Sequence, residues 1–254
     1  MAATTTPTPS PTSSPTIETT GTTRTTGTTR PGLAVRVLGD THALGRRLPQ
    51  LAVGLVLYGA SMGLMLRSGL GLDPWDVLHQ GLQRSIGLSV GAWVTIMGAL
   101  VLLLWIPMRQ RPGVGTVANV AVIGAAMDLT LRLLDAPGGL PARIALMVGA
   151  VLLNGLATGL YIGARLGPGP RDGLMTGLHR RTGRSLRLVR TGIEVTVLVA
   201  GILLGGTAGV GTVLYALAIG PLAQLFLPWC TVPGPVGTQA ETTAETTAQT
   251  PRKG

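Results

Sequence analysis

Residues 57–131 recur as residues 153–227 without a gap: at a constant offset of 96, 27 of the 75 positions are identical. Pro74 falls on Pro170, Asp76 on Asp172, Gly81-Leu82 on Gly177-Leu178, Gly87 on Gly183 and Ser89 on Ser185. Beyond that motif, GVGTV at 113–117 returns at 209–213, and Gly59, Gly63 and Leu64 return as Gly155, Gly159 and Leu160. Compositional bias scatters Gly and Leu matches but does not bring Pro, Asp, Arg, Ser and Thr into register. The chain therefore carries one unit twice, and any fold proposed for one half must serve the other.

The solvent of that unit is lipid. Only 12% of the 254 residues are charged and 46% are apolar, against about 25% charged in a soluble domain. Residues 1–45 begin with a Thr/Pro/Ser-rich run and are expected to form a disordered cytoplasmic tail, as are residues 231–254. The expected membrane domain is 46–230, with repeat one at about 50–134 and repeat two at about 142–228. No apolar h-region precedes it, so no cleaved signal peptide is expected. The single Cys230 excludes an intramolecular disulfide and a cysteine metal cluster. A net charge of +10 would suggest nucleic acid in a soluble protein. Here the arginines lie between apolar runs, where setting topology is the simpler role, and no nucleic-acid partner is expected.

A spanning helix needs about 20 mostly apolar residues. Six stretches fit: about 50–67, 89–108, 113–134, 142–164, 186–205 and 209–228. Two shorter helices, about 74–86 and 170–182, are the copies of the motif; at about 20 Å they cannot cross a core of about 30 Å. With both ends cytoplasmic, the inner side collects Arg46, Arg47, Arg109, Arg111 and the cluster from Arg165 to Arg190, as the positive-inside rule asks. Three crossings per half is an odd number, so the second half sits upside down relative to the first. The expected fold is all-α: six transmembrane helices as two inverted three-helix repeats, each with a short non-spanning or re-entrant helix.

Within the motif, Asp73 reads as an N-cap, with Pro74 and Pro170 opening the short helices and Asp76 and Asp172 in their first turns. The Gly-rich approaches and the repeated Gly81 and Gly177 permit close backbone approach. Two roles are open to Asp76 and Asp172: facing a polar cavity, or favouring the dipole of an interfacial helix. Glu194 lies inside an apolar stretch, where an ionisable residue is a functional candidate, yet Arg190 stands four residues before it and can pair with it. Asp128 aligns with Gln224 and Asn119 with Tyr215, polar positions in both halves that either line a cavity or join helices. Gly59-xxx-Gly63 and Gly155-xxx-Gly159 read as helix packing. His42, His79 and His179 share no ligand spacing, there is no phosphate-loop lysine, and no nucleophile–base arrangement is visible, so neither a metal, a cofactor nor an enzyme is expected.

The elements LGLDPWDVLHQGL, GTVANVAVIGAAMDLTLRLL, GLYIGARLGPGPRDGLMTGL and VRTGIEVTVL together resemble the YczE/YyaS/YitT group of bacterial multi-pass membrane proteins, over nearly all of 50–228. The resemblance implies a bacterial cytoplasmic-membrane protein and transfers neither substrate nor catalytic residues. The expectation is a transporter or substrate-binding membrane component with a site between the halves, Asp76, Asp172, Glu194 and Asp128 being its candidate contacts for a small solute or ion. The alternative is a scaffold or regulator of another membrane protein. Membrane lipid is a partner in either case.

Overall fold

The protein is described by a computed structural model covering residues 33–232; most of both expected tails, 1–32 and 233–254, lies outside the described residues. The described residues form eight helices and no strand: α1 (Leu33–Ser68), α2 (Pro74–Ile86), α3 (Val90–Trp105), α4 (Val114–Leu133), α5 (Leu140–Gly163), α6 (Pro170–Thr182), α7 (Leu186–Leu203) and α8 (Val210–Cys230).

Local chemistry sets most of these boundaries. Pro74 and Pro170 open α2 and α6, where a missing N–H costs nothing. Gly87 (φ 92°) and Gly183 (φ 66°) close them in backbone conformations that side chains resist. The repeated serines are caps: Ser89 Oγ accepts from the Ala92 N–H at 3.0 Å, and Ser185 Oγ from the Leu188 N–H at 3.3 Å. One boundary corrects the sequence expectation. α1 begins at Leu33, inside the tail expected at 1–45, because LAVRVLGDTHALGRR holds no proline and several good helix formers.

Among the described residues four helices are long and apolar enough to cross a membrane: Leu44–Ser68 of α1, α4, α5 and α8. α2 and α3 together make a fifth candidate, bent by 114° at their junction. α3 has 16 residues, short of the expected 89–108, and α7 carries Arg187, Arg190 and Glu194 among its 18. Leu100, Leu103, Leu104, Leu203, Val210 and Leu217 are exposed, an apolar outer surface suited to lipid.

α1 and α5 pack together at the centre, with α4 on α1 and α8 on α5; α2 lies against α7 and α3 against α6. The small-xxx-small spacings make the α1–α4 and α5–α8 contacts. A Cβ on Gly63 would sit 2.9 Å from Thr130 Cβ, and one on Gly155 or Gly159 would sit 2.7 Å from Leu222 Cβ or 2.9 Å from Phe226 Cβ.

Bonds between the halves come in pairs offset by 96. The Gly115 N–H donates to Leu166 O at 2.9 Å, and the Gly211 N–H to Leu70 O at 2.8 Å. Thr116 Oγ1 donates to Pro168 O at 2.7 Å, while Thr212 Oγ1 accepts from the Leu72 N–H at 3.1 Å. A third pair matches in place but not in size. Trp105 lies over Gly173, so that a Cβ there would enter its ring, and its Nε1 donates to Pro170 O at 3.1 Å. The equivalent of Trp105 is Gly201, whose missing Cβ would fall 2.6 Å from the Val77 carbonyl carbon, at the equivalent of Gly173.

Candidate functional site

α2 is buried along much of its length, and its first turns hold ionisable groups that lipid does not tolerate alone. Asp73 accepts from the N–H groups of Trp75 at 2.9 Å and Asp76 at 3.1 Å, as an N-cap should. Three residues further along the helix, Nδ1 of His79 meets Oδ1 of Asp76 at 2.9 Å. Asp73, Asp76 and His79 are all at most 2% exposed. Their counter-charge comes from the other half. The Arg171 guanidinium lies 3.5 Å from Asp73 Oδ1 and 4.0 Å from Asp76 Oδ1, and 5.0 Å from the centroid of the Trp75 ring. Two carboxylates thus share one guanidinium in a poorly solvated place, where an unpaired charge is expensive.

Four polar atoms of this cluster have no protein partner among the described residues: Asp73 Oδ2, Asp76 Oδ2, Trp75 Nε1 and His79 Nε2. Buried polar atoms without partners are rare and call for an explanation. With its proton on Nδ1 toward Asp76, His79 presents Nε2 as an acceptor, whereas Trp75 Nε1 can only donate.

Trp75, His79 and Arg171 form part of the wall of a cavity of about 200 Å³. Tyr58 from α1, Asn119 from α4, Thr158 and Tyr161 from α5, Asp172 from α6, Arg190 from α7 and Tyr215 from α8 complete its polar and aromatic lining. Tyr58 and Tyr161 meet edge to face with centroids 5.9 Å apart. The Tyr161 hydroxyl donates to Asp172 Oδ2 at 2.9 Å, and Asp172 is itself an exposed residue. Behind Tyr215 runs a relay of neutral groups. Its hydroxyl donates to Asn154 Oδ1 at 3.2 Å, Asn154 Nδ2 donates to Ser61 Oγ at 2.8 Å, and Ser61 Oγ donates to Tyr58 O at 2.6 Å.

The four candidate carboxylates have different surroundings. Asp172 lines the cavity, and Asp76 stands behind it with Asp73 and His79. Asp128 lies elsewhere: it accepts from Ser89 Oγ and from the Gly91 N–H at 2.9 Å, tying α4 to the start of α3. Glu194 accepts from Arg190 Nε at 2.9 Å, the i,i+4 pair expected from spacing. Of the structural positions, Pro74 and Pro170 open their helices, while Gly81 sits against the Gly201 carbonyl and Gly177 against Met108 and Gln110. Asn119 and Tyr215, aligned in the two repeats, both reach the cavity. Arg171, His79 and Tyr58 were not singled out by sequence reasoning. The one available signal was Asp76 and His79 at i,i+3, which places them on one helix face.

A protein-family model described as a family of unknown function (DUF6198) matches residues 45–228. The chain belongs to this family. It is similar to a Haemophilus influenzae protein described as uncharacterized, 40% identical over 177 residues covering 70% of this chain and 81% of that one. It is also similar to the uncharacterized membrane protein YczE of Bacillus subtilis, 35% identical over 69% of this chain and 82% of the relative. YyaS of the same organism is 28% identical over 69% of this chain and 90% of its own length. No solved structure matches. The family match spans both repeats and every residue of the cavity wall, and the resemblance of the motifs to the YczE and YyaS proteins is confirmed.

Proposed function

We propose that this chain is a non-enzymatic transporter or substrate-binding component of the bacterial cytoplasmic membrane, with its solute site in the cavity between the two halves. The observation that carries this reading is a cavity entered by side chains from both repeats, in whose wall Trp75 Nε1 and His79 Nε2 lack protein partners. Pockets of this build, lined by aliphatic and aromatic side chains with a few converging polar groups, are what small ligands occupy. Asp76 and Asp172 are the paired carboxylates of the site. Asp128 and Glu194 stand outside its lining: Asp128 ties α4 to the start of α3, and Glu194 pairs with Arg190 within α7.

The architecture we infer has six crossings, both termini cytoplasmic, and the second half inverted relative to the first. Reciprocal bonds support it: Gly115 to Leu166 and Gly211 to Leu70 exchange donor and acceptor halves at the same two repeat positions, as a two-fold relation requires. Inverted repeats meeting at a central site are a common transporter plan. α3 and α7 cross in this reading with the short helices α2 and α6 packed against them.

The test is a thermal-stability screen of the purified protein against ions, metabolites and lipids, run beside an Asp76→Asn, Asp172→Asn double variant. A ligand of the folded state raises the midpoint by mass action. A compound that stabilises the parent and not the variant supports the site. If no compound shifts either folded protein, the reading fails, and a role as scaffold for a membrane partner takes its place.

A further inference from the structure

One helix joint is built twice in this protein, and it stands shut in the first half and open in the second. In the first half α3 closes on α4 through Gly91 and Gly124, both buried. A Cβ on either glycine would run into the carbonyl oxygen of the other. Asp128 holds the joint by accepting from the Gly91 N–H and Ser89 Oγ. The equivalents of Gly91, Gly124 and Asp128 are Arg187, Gly220 and Gln224. A Cβ on Gly220 would find nothing within 4 Å, and Arg187 and Gln224 are exposed. Gly220 and Ala223 of α8 belong to the cavity wall, as does Arg190 of α7, which is 55% exposed. The gap between α7 and α8 thus leads into the cavity.

The packing sorts the helices into two groups. α1, α4, α5 and α8 form one, α2, α3, α6 and α7 form the other, and the chief contact between them is α3 on α4. Each group takes two helices from each half, at matching places in the repeat. One group can therefore turn on the other so that the open and shut joints trade places. The second half keeps what closure needs. Gly220 is retained, Ala216 is small, and the Gln224 amide oxygen can accept from the Arg187 N–H as Asp128 does from Gly91. Arg187 in place of Gly91 makes that closure looser, which favours the arrangement seen here.

We propose that the cavity is reached from alternate sides of the membrane, the α3–α4 joint opening as the α7–α8 gap shuts. The proposal rests on the cavity as solute site and on the inversion of the second half, which puts the shut joint at the outer face and the open gap at the inner. It makes the chain a transporter rather than a static binding component.

Thr95 and Thr191 hold the same repeat position and test this. Thr95 lies against Gly124 in the shut joint and is half-buried, whereas Thr191 is exposed. Cys230 is the one cysteine of the chain, so Cys230→Ser gives a blank background. Thr95→Cys and Thr191→Cys are introduced singly into the full-length, detergent-solubilised protein and treated with a sulfonated, water-soluble maleimide. Thr191→Cys is expected to react faster by about tenfold or more, as a dominant open gap requires. Gly124→Ala, which forces the shut joint apart, should speed labelling at Thr95→Cys and slow it at Thr191→Cys. Gly220→Trp, which props the gap open from a place with room for it, should slow Thr95→Cys by about tenfold. If Gly124→Ala does not fold, Gly220→Trp decides alone.

Equal rates at the two threonine positions overturn the proposal. So does a Gly124→Ala effect confined to Thr95→Cys, or a Gly220→Trp protein that labels at Thr95→Cys like its parent. If the stability screen finds a solute while the two joints respond independently, the alternation fails and the solute site stands. If the joints respond in opposite directions and no compound binds, the motion stands and the solute reading fails.

Discussion

Arg171 stands 5.0 Å above the ring of Trp75, and the two residues hold the same position in the two repeats. A residue can meet its own counterpart only where the two halves meet each other on equal terms. At that place the first half supplies two buried carboxylates and an aromatic face, and the second supplies the guanidinium that both need. The seam of the protein and its most heavily charged interior point coincide.

Replacing Arg171 by Ala should therefore unfold the seam. It leaves Asp73 and Asp76 buried without a cation, a loss of about 3–5 kcal/mol where one partner of a buried pair is removed. Adding Asp73→Asn and Asp76→Asn to that variant should restore part of the stability. Melting midpoints of the single, double and triple variants check this. If Arg171→Ala melts with the parent, the ion pairs are not structural.

Thr116 and Thr212 should be equally sensitive. Thr212→Val orphans the Leu72 N–H and Thr116→Val orphans Pro168 O, each costing about 1–3 kcal/mol. Because the two bonds lie on separate contacts between the halves, the double variant should lose close to the sum. Chemical or thermal denaturation of the three variants measures that additivity.

Gly201→Val should be severe, since a side chain there meets the backbone of Val77 and Leu78, which has nowhere to retreat. Overpacking costs about 1–3 kcal/mol, and more against rigid backbone. Gly173→Ala meets the Trp105 ring instead, so it should be rescued by Trp105→Leu in the same chain. A double-mutant cycle with a favourable coupling of that pair confirms the contact; no coupling refutes it.

Glu194→Gln should barely register. Its partner Arg190 is 55% exposed, and i,i+4 pairs of that kind contribute about 0.3–0.5 kcal/mol. Asp128→Ala should cost more, about 1–3 kcal/mol, because it strips the Gly91 N–H and Ser89 of a half-buried acceptor. Ligand-induced shifts in both variants should match the parent. A lost shift in either one would return that carboxylate to the binding site.

The two short helices were legible to the residue, since proline starts and glycine stops act through their immediate neighbours alone. So was the packing role of Gly59, Gly63, Gly155 and Gly159, which follows from residue size at helical spacing. The start of α1 was not: Thr-rich composition ends gradually, and the residues from Leu33 onward favour helix without any cap to announce it. Nor was the cluster of Asp73, Asp76, His79 and Arg171. Its members lie almost 100 positions apart, and Arg171 in sequence is one arginine among many near a loop. Only the docking of the halves shows that it turns inward while its neighbours serve the surface.

The exchange of Trp105 over Gly173 for Gly201 against Val77 has a historical reading. A protein assembled from two copies of the first half would drive Trp105 against Val77 on both sides, with no glycine to receive either ring. Two copies of the second half would leave Gly201 facing Gly173 and an empty slot at each junction. The halves have become lock and key from what was once a single template, so neither can now be replaced by its sibling, and the ancestor that paired with itself is no longer contained in either.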